Sequence, residues 1–452
     1  MGAEGRFVTA ARAIDAYHAL VAADPRAARE QSEGLVQDLR AAGITFAGQP
    51  MPTLLRPQFV SRADADALRA NARRFVELAA RMARTAFDGD AARLCRFLGT
   101  PEAEIPWVAL DPGPPDVALS RVDAFLTGTG ARFIEINSDA PAGFGYSDRL
   151  ARVFQALPVF RAFAARMAVS YRWSEDGLVS AVLAPLRARS GERLRIAIVD
   201  WAEVKTRADQ EILREAFAAR GHDCRLVDPR EMEVREGRLC SKEGPIDLVY
   251  RRTVLSEVVE REDEVRPFLR AYRERLCPFV NSLRCRLSED KAFFAILTDE
   301  SFESLATAEE RAFLLRHAPW TRRVEERHTR RDGRRIDLVP HVLAEREGLV
   351  LKPAHAYGGR SVYVGAETPA AEWEAAVRSA LGGAWVVQER VAIPEEPFPV
   401  FEDGELRFEP LKVNTNPFYA AGEDVGTVTR VSRSSVINVS AGGGSVPTFV
   451  VD

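Results

Sequence analysis

The sequence predicts a fold that mixes α+β and α/β organisation, with a helical N-terminal region and a small β-α-β unit in the middle of the chain. Three observations predict it. Residues 8–47 and 62–98 carry apolar side chains at three- and four-residue spacing, residues 119–137 read as two strands around a turn, and residues 193–251 alternate strand and helix patterns. A chain of 452 residues suggests two or three structural units.

The bulk composition is that of an ordinary soluble globular protein, with 46% apolar residues, 28% charged residues and a formal net charge of −4. The 62 basic and 66 acidic residues nearly balance, which gives no electrostatic footprint for nucleic acid. No stretch reaches the roughly 18 apolar residues that a membrane span needs, and the N-terminus lacks the apolar core of a signal peptide. We therefore expect a cytoplasmic protein with neither a nucleic acid nor a membrane as partner. The five cysteines show no metal-binding spacing, so they are expected to be reduced packing residues.

The N-terminal region is predicted to be helical. The stretch ADALRANARRFVELAARMARTAF, rich in Ala and Arg, has the apolar spacing of an amphipathic helix. The Pro-rich segment PEAEIPWVALDPGPPD follows at 101–116 and should stop the helices. We assign residues 1–114 to this helical N-terminal region.

A predicted hairpin follows this break. In VDAFLTGTGARFIEIN two apolar stretches flank a Thr-Gly-Thr-Gly sequence, which is the composition of a tight turn. The hairpin would bring Arg121, Asp123, Glu135 and Asn137 to one end of two antiparallel strands. These side chains could share one phosphate-bearing ligand, or they could be ordinary polar residues on the strand surfaces.

The middle of the chain reads as a β-α-β unit with a further strand. RLRIAIVDW at 193–201 is followed by a helical pattern, by the strand-like HDCRLVDPREM and by IDLVYRR. These segments predict a small parallel sheet. No G-x-G-x-x-G motif follows Asp200, so the fingerprint of a dinucleotide site is absent.

Two strand-like stretches in the second half of the chain could meet a nucleotide. GLVLKPAHAYGGRSVYVG at 348–365 joins an apolar run ending in Lys352 to a loop with Gly358 and Gly359, which suits a phosphate-binding flap or a plain hairpin. In WVVQERVAIP, Gln388 and Glu389 stand at a strand end, where they could meet an adenine and its ribose or simply be polar.

Three further features have both a functional and an ordinary interpretation. Lys291 lies near the start of an apolar helix, behind Ser288 as a candidate N-cap, and a lysine there is either ligand-directed or solvated. His355 could touch a phosphate or face solvent. The segment KVNTNPFYAAG at 412–422 could border an acceptor site or be a loop.

The order of these features resembles the ATP-grasp fold, in which a nucleotide lies between two α+β subdomains and carboxylates hold magnesium. In most ATP-grasp enzymes the metal ligands follow the nucleotide lysines, whereas here the Asp/Glu/Asn cluster precedes them. This inverted order is similar to the circularly permuted ATP-grasp enzymes, in particular the synthetase domain of glutathionylspermidine synthetase. The resemblance covers residues 115–452, and its most specific part is R-x-D-x(11)-E-x-N followed by NSDAP.

The resemblance implies a role for each of these residues. Catalytic arginines are implied at Arg121 and Arg430, with Arg433 as a competitor for the second; magnesium ligands at Asp123, Glu135 and Asn137; and ATP-binding positions at Lys291, Lys352, Gly358, Gly359, Gln388 and Glu389. It also divides the chain into a magnesium-site part at 115–192, a Rossmann-like unit preceding the ATP-grasp at 193–285, and a nucleotide-binding part at 286–452. The glycine loop AHAYGGRSV departs from the family because it lacks the family's glutamate.

The implied activity is ATP- and Mg²⁺-dependent ligation of a small-molecule or peptide carboxylate to an amine, through an acyl phosphate, with release of ADP and phosphate. A phosphotransferase that stops at the phosphorylated product, and an ATP-binding module without chemistry, remain alternatives. The sequence identifies neither the acid nor the amine, nor the oligomeric state.

Overall fold

A computed structural model of the protein describes residues 3–355, 361–437 and 443–452, with side chains from residue 9 onward. Its helices are α1 Ala3–Ala23, α2 Pro25–Ala41, α3 Arg62–Thr85, α4 Ala91–Leu98, α5 Ile105–Val108, α6 Phe144–Ala156, α7 Pro158–Ala164, α8 Glu175–Leu183, α9 Arg207–Ala219, α10 Leu255–Glu260, α11 Arg266–Arg273, α12 Arg286–Glu289, α13 Phe293–Thr298, α14 Ala308–His317, α15 Leu338–Ala344 and α16 Ala370–Ala380.

The strands fall into several separate sheets. They are β1 Thr45–Phe46, β2 Gln49–Pro50, β3 Gln58–Ser61, β4 Leu119–Thr127, β5 Gly130–Asn137, β6 Val169–Ser170, β7 Arg195–Val199, β8 Asp223–Val227, β9 Glu233–Arg235, β10 Arg238–Ser241, β11 Gly244–Pro245, β12 Leu248–Arg251, β13 Phe279–Val280, β14 Thr321–Arg323, β15 His328–Arg331, β16 Arg334–Asp337, β17 Leu349–Pro353, β18 Tyr363–Val364, β19 Trp385–Glu389, β20 Glu395–Glu402, β21 Glu405–Ala420, β22 Thr427–Ser432 and β23 Gly444–Val451. The predicted mixture of helices and several sheets is confirmed.

Helix α3 shows how the Ala- and Arg-rich sequence folds. Its Ser61 hydroxyl accepts a hydrogen bond from the Asp64 amide at 3.1 Å, which caps the first turn. Leu68, Phe75 and Met82, seven residues apart, share one face, and each is at most 2% exposed. The N-terminal region is not helical throughout, because the β1–β2 hairpin and β3 interrupt it.

The largest sheet joins distant parts of the chain in the order β3-β23-β22-β21-β4-β5. Strand β3 from the N-terminal region pairs in parallel with β23 at the C-terminus. Strands β4 and β5 form the predicted antiparallel hairpin, closed where Thr127 pairs with Gly130. The two-residue turn sets the register as far as Ala124 opposite Phe133, and a β-bulge between Asp123 and Ala124 then shifts it so that Asp123 lies directly opposite Glu135.

A second sheet contains the predicted strand–helix–strand pattern. Strands β7 and β8 are parallel with α9 between them, and β12 and β13 extend the sheet on the other side of β7 in the same direction. At the end of β12, Arg251 and Arg252 are buried and paired with Asp139 and Asp209 at 2.6 and 3.1 Å.

A smaller sheet, in the order β14-β19-β17-β18, packs against α15 and α16 through a core that includes Trp373 and Leu351. Lys291 lies in the break between α12 and α13. Ser288 does not cap a helix here, because it lies inside α12 and its hydroxyl donates to the Cys285 carbonyl. The turn before α13 is instead closed by the Asp290 carboxylate, which accepts the Ala292 amide at 2.8 Å.

None of the helices in the described part of the chain combines the length and the apolar character needed to cross a bilayer.

Candidate functional site

A cavity of about 450 Å³ lies where the β4–β5 hairpin, strands β17, β19, β21 and β22 and the N-terminal region meet. The predicted site residues that the structure describes all line it: Arg121, Asp123, Glu135, Asn137, Lys291, Lys352, Gln388, Glu389 and Arg430. Gly358 and Gly359 lie outside the described residues. Arg433 lies elsewhere, exposed on the surface and paired with Glu402 and Glu409.

Strand geometry accounts for this convergence. Residues two apart on a strand point to the same face, so Arg121 and Asp123 project together from β4, as do Glu135 and Asn137 from β5. Arg121 also pairs with Asn137 across the two strands. One face of the hairpin end therefore carries all four side chains.

Asp123 is held by two guanidinium groups. Arg121 Nε donates to its Oδ1 at 2.9 Å, and Arg430 Nη2 donates to its Oδ2 at 2.5 Å. The Asn137 amide reaches the same Oδ1 at 3.2 Å. Burial raises the pKa of Asp123, but the two arginines outweigh burial and leave the pKa below its usual range.

Glu135 is paired with Lys291, whose Nζ lies 2.8 Å from Oε1. Burial lowers the pKa of Lys291, but Glu135, Glu289 and Asp290 together raise it more, so the net shift is upward and the lysine stays charged. Carboxylates directly opposite each other on neighbouring strands repel. The cations on Asp123 and Glu135 offset that repulsion.

Lys352 has a different environment because its partners are neutral. Its Nζ donates to the Gln388 side-chain oxygen at 2.8 Å and to the Ile134 carbonyl at 3.3 Å. Burial lowers the pKa of Lys352 to about 8. The Gln388 amide nitrogen donates in turn to Thr321 at 2.9 Å, which fixes the amide orientation.

Glu389 stands at the rim, because its side chain is 38% exposed and pairs with Arg132 at 2.6 Å. Its carboxylate also accepts the Trp320 amide at 3.2 Å. Near these residues, Val350 and Val364 supply apolar wall to the same cavity.

Asn414 is a site residue that the sequence did not single out. Its Oδ1 accepts a hydrogen bond from Arg430 Nη2 at 2.7 Å, and its Nδ2 donates to the Ala124 carbonyl at 2.9 Å. Asn416 accepts the Ala124 amide at 3.0 Å. The segment 412–422 is therefore mostly strand β21, and the alternation of the two asparagines in KVNTNP was the available signal.

Glu289 is a second residue that the sequence did not single out. It does not line the cavity but holds the backbone next to it. Its carboxylate accepts the Ser138 amide at 2.8 Å and the Asp139 amide, which fixes the chain just after Asn137. Burial, together with the nearby Asp139 carboxylate, raises the pKa of Glu289 to about 7. His355 neither faces solvent nor lines the cavity, since Nδ1 lies 2.6 Å from Asp290 and Nε2 lies 2.7 Å from the Gly99 carbonyl.

The donor set fits a magnesium–nucleotide complex. Magnesium takes oxygen ligands and is usually bound by one or two carboxylates together with phosphate oxygens and water, which matches Asp123, Glu135 and Asn137. In the described residues no group of three or more His, Cys, Asp and Glu forms a metal site of its own. The buried Arg430 Nε has no hydrogen-bond partner in the described part of the structure, as suits a donor for an anion.

Comparison with solved structures shows which known fold this protein has. The structure of a glutathione synthetase-like effector (GSS30) from Globodera pallida in its apo form matches with a TM-score of 0.58 and 11% identity, over 93% of this chain and 96% of that one. At that identity the likeness shows the fold alone. A structure from Methylobacillus flagellatus KT, provisionally named a γ-glutamylcysteine synthetase, has a TM-score of 0.41 and 11% identity over 85% of this chain and 86% of that one, too low to carry an argument.

Sequence similarity is local. A Frankia alni protein provisionally named glutamate–cysteine ligase 2-3 is 34% identical over 118 residues, which cover 24% of this chain. The match spans only 13% of that protein's length. No family model matches the chain. The protein is thus a mixed α/β protein with a glutathione synthetase-like fold.

Proposed function

We propose that this protein is an ATP-dependent carboxylate–amine ligase that forms an amide bond through an acyl phosphate and releases ADP and phosphate. One observation carries the proposal: residues from distant parts of the chain bring three carboxylates, two lysines and three arginines to one cavity. The fold likeness to a glutathione synthetase-like protein and the ligase name of the local relative support it.

The charge of the cavity suits the complex of magnesium and ATP. Among the described lining residues, the basic ones are Arg121, Lys291, Lys352, Arg390 and Arg430 and the acidic ones are Asp123, Glu135 and Glu389, so the formal excess is two positive charges. Magnesium bound to a nucleoside triphosphate leaves about two negative charges on the complex. The cavity and this ligand therefore have complementary net charge.

The nucleotide and its magnesium ion are bound by separate groups of residues in this proposal. Lys291 and Lys352 neutralise phosphate oxygens, and Gln388 and Glu389 at the end of β19 meet the adenine and ribose, with Val350 and Val364 against the ring. Asp123, Glu135 and Asn137 would hold Mg²⁺, which supplies Lewis-acid neutralisation of the phosphates.

The two arginines act on the anions of the reaction. The γ-phosphoryl group passes from ATP to a carboxylate oxygen of the acid, which leaves ADP, and the amine then forms the C–N bond while the C–O bond to phosphate breaks. The amine loses a proton in this step. Arg121 and Arg430 donate to the oxyanion and to the departing phosphate, because a guanidinium is always charged and forks its hydrogen bonds.

We infer further that the chain is a circularly permuted ATP-grasp protein, similar to the synthetase domain of glutathionylspermidine synthetase. The order of the features supports this, since the carboxylate hairpin at 119–137 precedes both lysines. The parallel sheet in the order β8-β7-β12-β13 would be the Rossmann-like unit.

The test is ADP release from ATP and Mg²⁺ with a panel of carboxylic acids, each with and without a panel of amino acids and polyamines. The proposal expects ADP only when an acid and an amine are both present, and none from the double variant Asp123→Asn/Glu135→Gln. ADP from the acid alone would favour a phosphotransferase, and ATP binding without any turnover would favour a non-catalytic module.

Arg121→Ala separates catalysis from binding in the same assay. Removal of one donor to a developing oxyanion costs about 3–4 kcal/mol in the transition state, or roughly 10²–10³ in rate. The ATP dissociation constant, measured by calorimetry, should change little. Weakened ATP binding along with lost turnover would contradict the assigned role.

A further inference from the structure

The cavity has an end that the nucleotide residues do not account for. Five lining residues form it: Phe46, Met51, Gly143, Tyr146 and Thr206. We call this set the N-terminal end, because the first two belong to the N-terminal region. Strands β17, β18 and β19 of the smaller sheet supply other residues of the cavity wall.

Backbone and side-chain hydrogen bonds hold the N-terminal end together. The Tyr146 hydroxyl donates to the Thr45 carbonyl at 2.7 Å, which ties α6 to the β1–β2 hairpin. The Ala47 amide donates to the Lys205 carbonyl at 3.0 Å, which ties the same hairpin to the residue before Thr206. The wall is therefore built from three separate parts of the chain.

Both arginines border this end. Arg121 Nη1 donates to the Ala142 carbonyl at 3.2 Å, next to Gly143. Arg430 pairs across the sheet with Ser445, whose amide donates to the Pro52 carbonyl at 2.9 Å. A carboxylate between the arginines would thus have the N-terminal end directly beside it.

Apart from Thr206, the chemistry of this end is apolar. Phe46 and Met51 present an aromatic ring and a thioether, and the Tyr146 hydroxyl is already engaged as a donor. The start of α6 offers little to an anion, since the buried Asp209 carboxylate already accepts the amides of Gly145 and Tyr146.

The end also lacks a free negative charge for a polyamine. Among the described lining residues the carboxylates are Asp123, Glu135 and Glu389. Each of the three is paired with a cation, at 2.5–2.9 Å. A polycationic chain would find no counter-charge in the described part of the wall.

We propose that the N-terminal end binds the body of the acid substrate, and that this acid carries an aryl or branched-alkyl group beside its carboxylate. Phe46 and Met51 set the size of the group that fits. This inference rests on the proposed function, because it takes the arginines as the carboxylate's partners.

The experiment measures acid binding directly, without turnover. The protein is loaded with Mg²⁺ and a non-hydrolysable ATP analogue, and dissociation constants are measured by ligand-observed NMR. The apolar probes are phenylacetate, 3-phenylpropionate and 4-methylpentanoate, and the polar probes are glutamate and glutathione. The apolar set should bind more tightly.

Phe46→Ala tests the wall itself. Loss of an aromatic contact should raise the dissociation constant of the apolar acid about tenfold or more, while that of the ATP analogue stays the same. Phe46→Leu should recover part of the affinity. The matched control is Phe408→Ala, a ring that is 39% exposed on β21 and does not line the cavity.

The outcomes separate this inference from the proposed function. Tighter binding of polar acids, no binding of any acid, or unchanged affinity in Phe46→Ala would overturn the inference. ADP release with polar acids alone would keep the ligase and also overturn the inference. Binding of apolar acids that depends on Phe46, without turnover with any amine, would keep the inference and remove the ligase.

Discussion

Lys352 is a buried cation whose charge costs stability, and its replacement tests the electrostatic account of the cavity. Only 8% of the residue is exposed, and its hydrogen-bond partners are the neutral Gln388 side chain and a carbonyl. We expect Lys352→Met to lose ATP binding and, at neutral pH, to unfold at a temperature close to or above that of the wild type.

The magnitude follows from the pKa. Burial lowers the pKa of Lys352 from 10.5 to about 8, and one pKa unit corresponds to about 1.4 kcal/mol. The folded-state pKa lies below the unfolded-state value, so the unfolded chain binds more protons between pH 8 and pH 10.5 and stability rises with pH in that window. The wild type should therefore gain roughly 2–3 kcal/mol over Lys352→Met between pH 7 and pH 10.

At neutral pH this gain is still absent, and Met leaves the Gln388 oxygen without its donor, which costs about 1–3 kcal/mol and offsets much of the relief. The pH dependence is therefore the sharper measure. An unfolding entropy of about 2.1 cal/mol/K per residue over 452 residues is about 1 kcal/mol/K, so a gain of roughly 2–3 kcal/mol shifts Tm by about 2–3 °C. If the part that contains Lys352 unfolds separately, the shift is larger.

The assay is the melting temperature of both proteins, by differential scanning fluorimetry, from pH 7 to pH 10. Groups that titrate equally in both proteins cancel in the difference. Lys291→Met is the matched control and should differ from the wild type by a constant Tm from pH 7 to pH 10, because the pKa of Lys291 is raised and the stability that the lysine contributes is lost only above pH 10.5. A Tm difference between Lys352→Met and the wild type that stays constant from pH 7 to pH 10 would refute the reasoning.

The remaining predictions concern a histidine and two arginines. Burial lowers the pKa of His355 but Asp290 raises it more, so the net shift is upward and its stabilising contribution is present below pH 6.5 and fades as pH rises through the folded pKa. The Tm lost in His355→Gln should therefore be larger at pH 6 than at pH 9, and an equal loss at both pH values would contradict the pairing. Arg430→Ala should lower the rate of ADP release at least a hundredfold because Arg430 contacts Asp123 in the cavity, whereas Arg433→Ala should stay within twofold. The reverse order of effects would make Arg433 the second catalytic arginine.

The hairpin shows what the sequence alone could predict. The Thr-Gly-Thr-Gly stretch restricts the connection to a tight turn, and a tight turn fixes which residues face each other. That register extends to Ala124 opposite Phe133, but Asp123 faces Glu135 only because a β-bulge between Asp123 and Ala124 shifts the pairing by one residue, and no turn residue signals the bulge. The β-α-β pattern was predictable because its period and turn residues lie within one short segment.

Pairing between strands that are far apart in the chain could not be predicted from the sequence. Strand β3 pairs with β23 nearly four hundred residues later, and nothing in QFVS specifies that partner. Phe46 and Asn414 reach the cavity only through such assembly. The prediction of Ser288 as an N-cap was wrong. Ser is a frequent N-cap, but here the Asp290 carboxylate closes the turn before the helix.

The ion pairs of the cavity explain how one set of side chains can be stable before a ligand binds and reactive afterwards. Asp123 is shared by Arg121 and Arg430, and Glu135 by Lys291, so each charge already has a partner. Removing one partner of a buried pair is costly because it leaves an uncompensated buried charge, and a ligand ion that takes the partner's place avoids that cost. Mg²⁺ on the carboxylates and phosphate groups on the basic side chains would replace both partners of each ion pair at once. Binding of Mg²⁺ and ATP together would therefore be more favourable than binding of either alone. We therefore expect Mg²⁺ and ATP to bind with positive cooperativity.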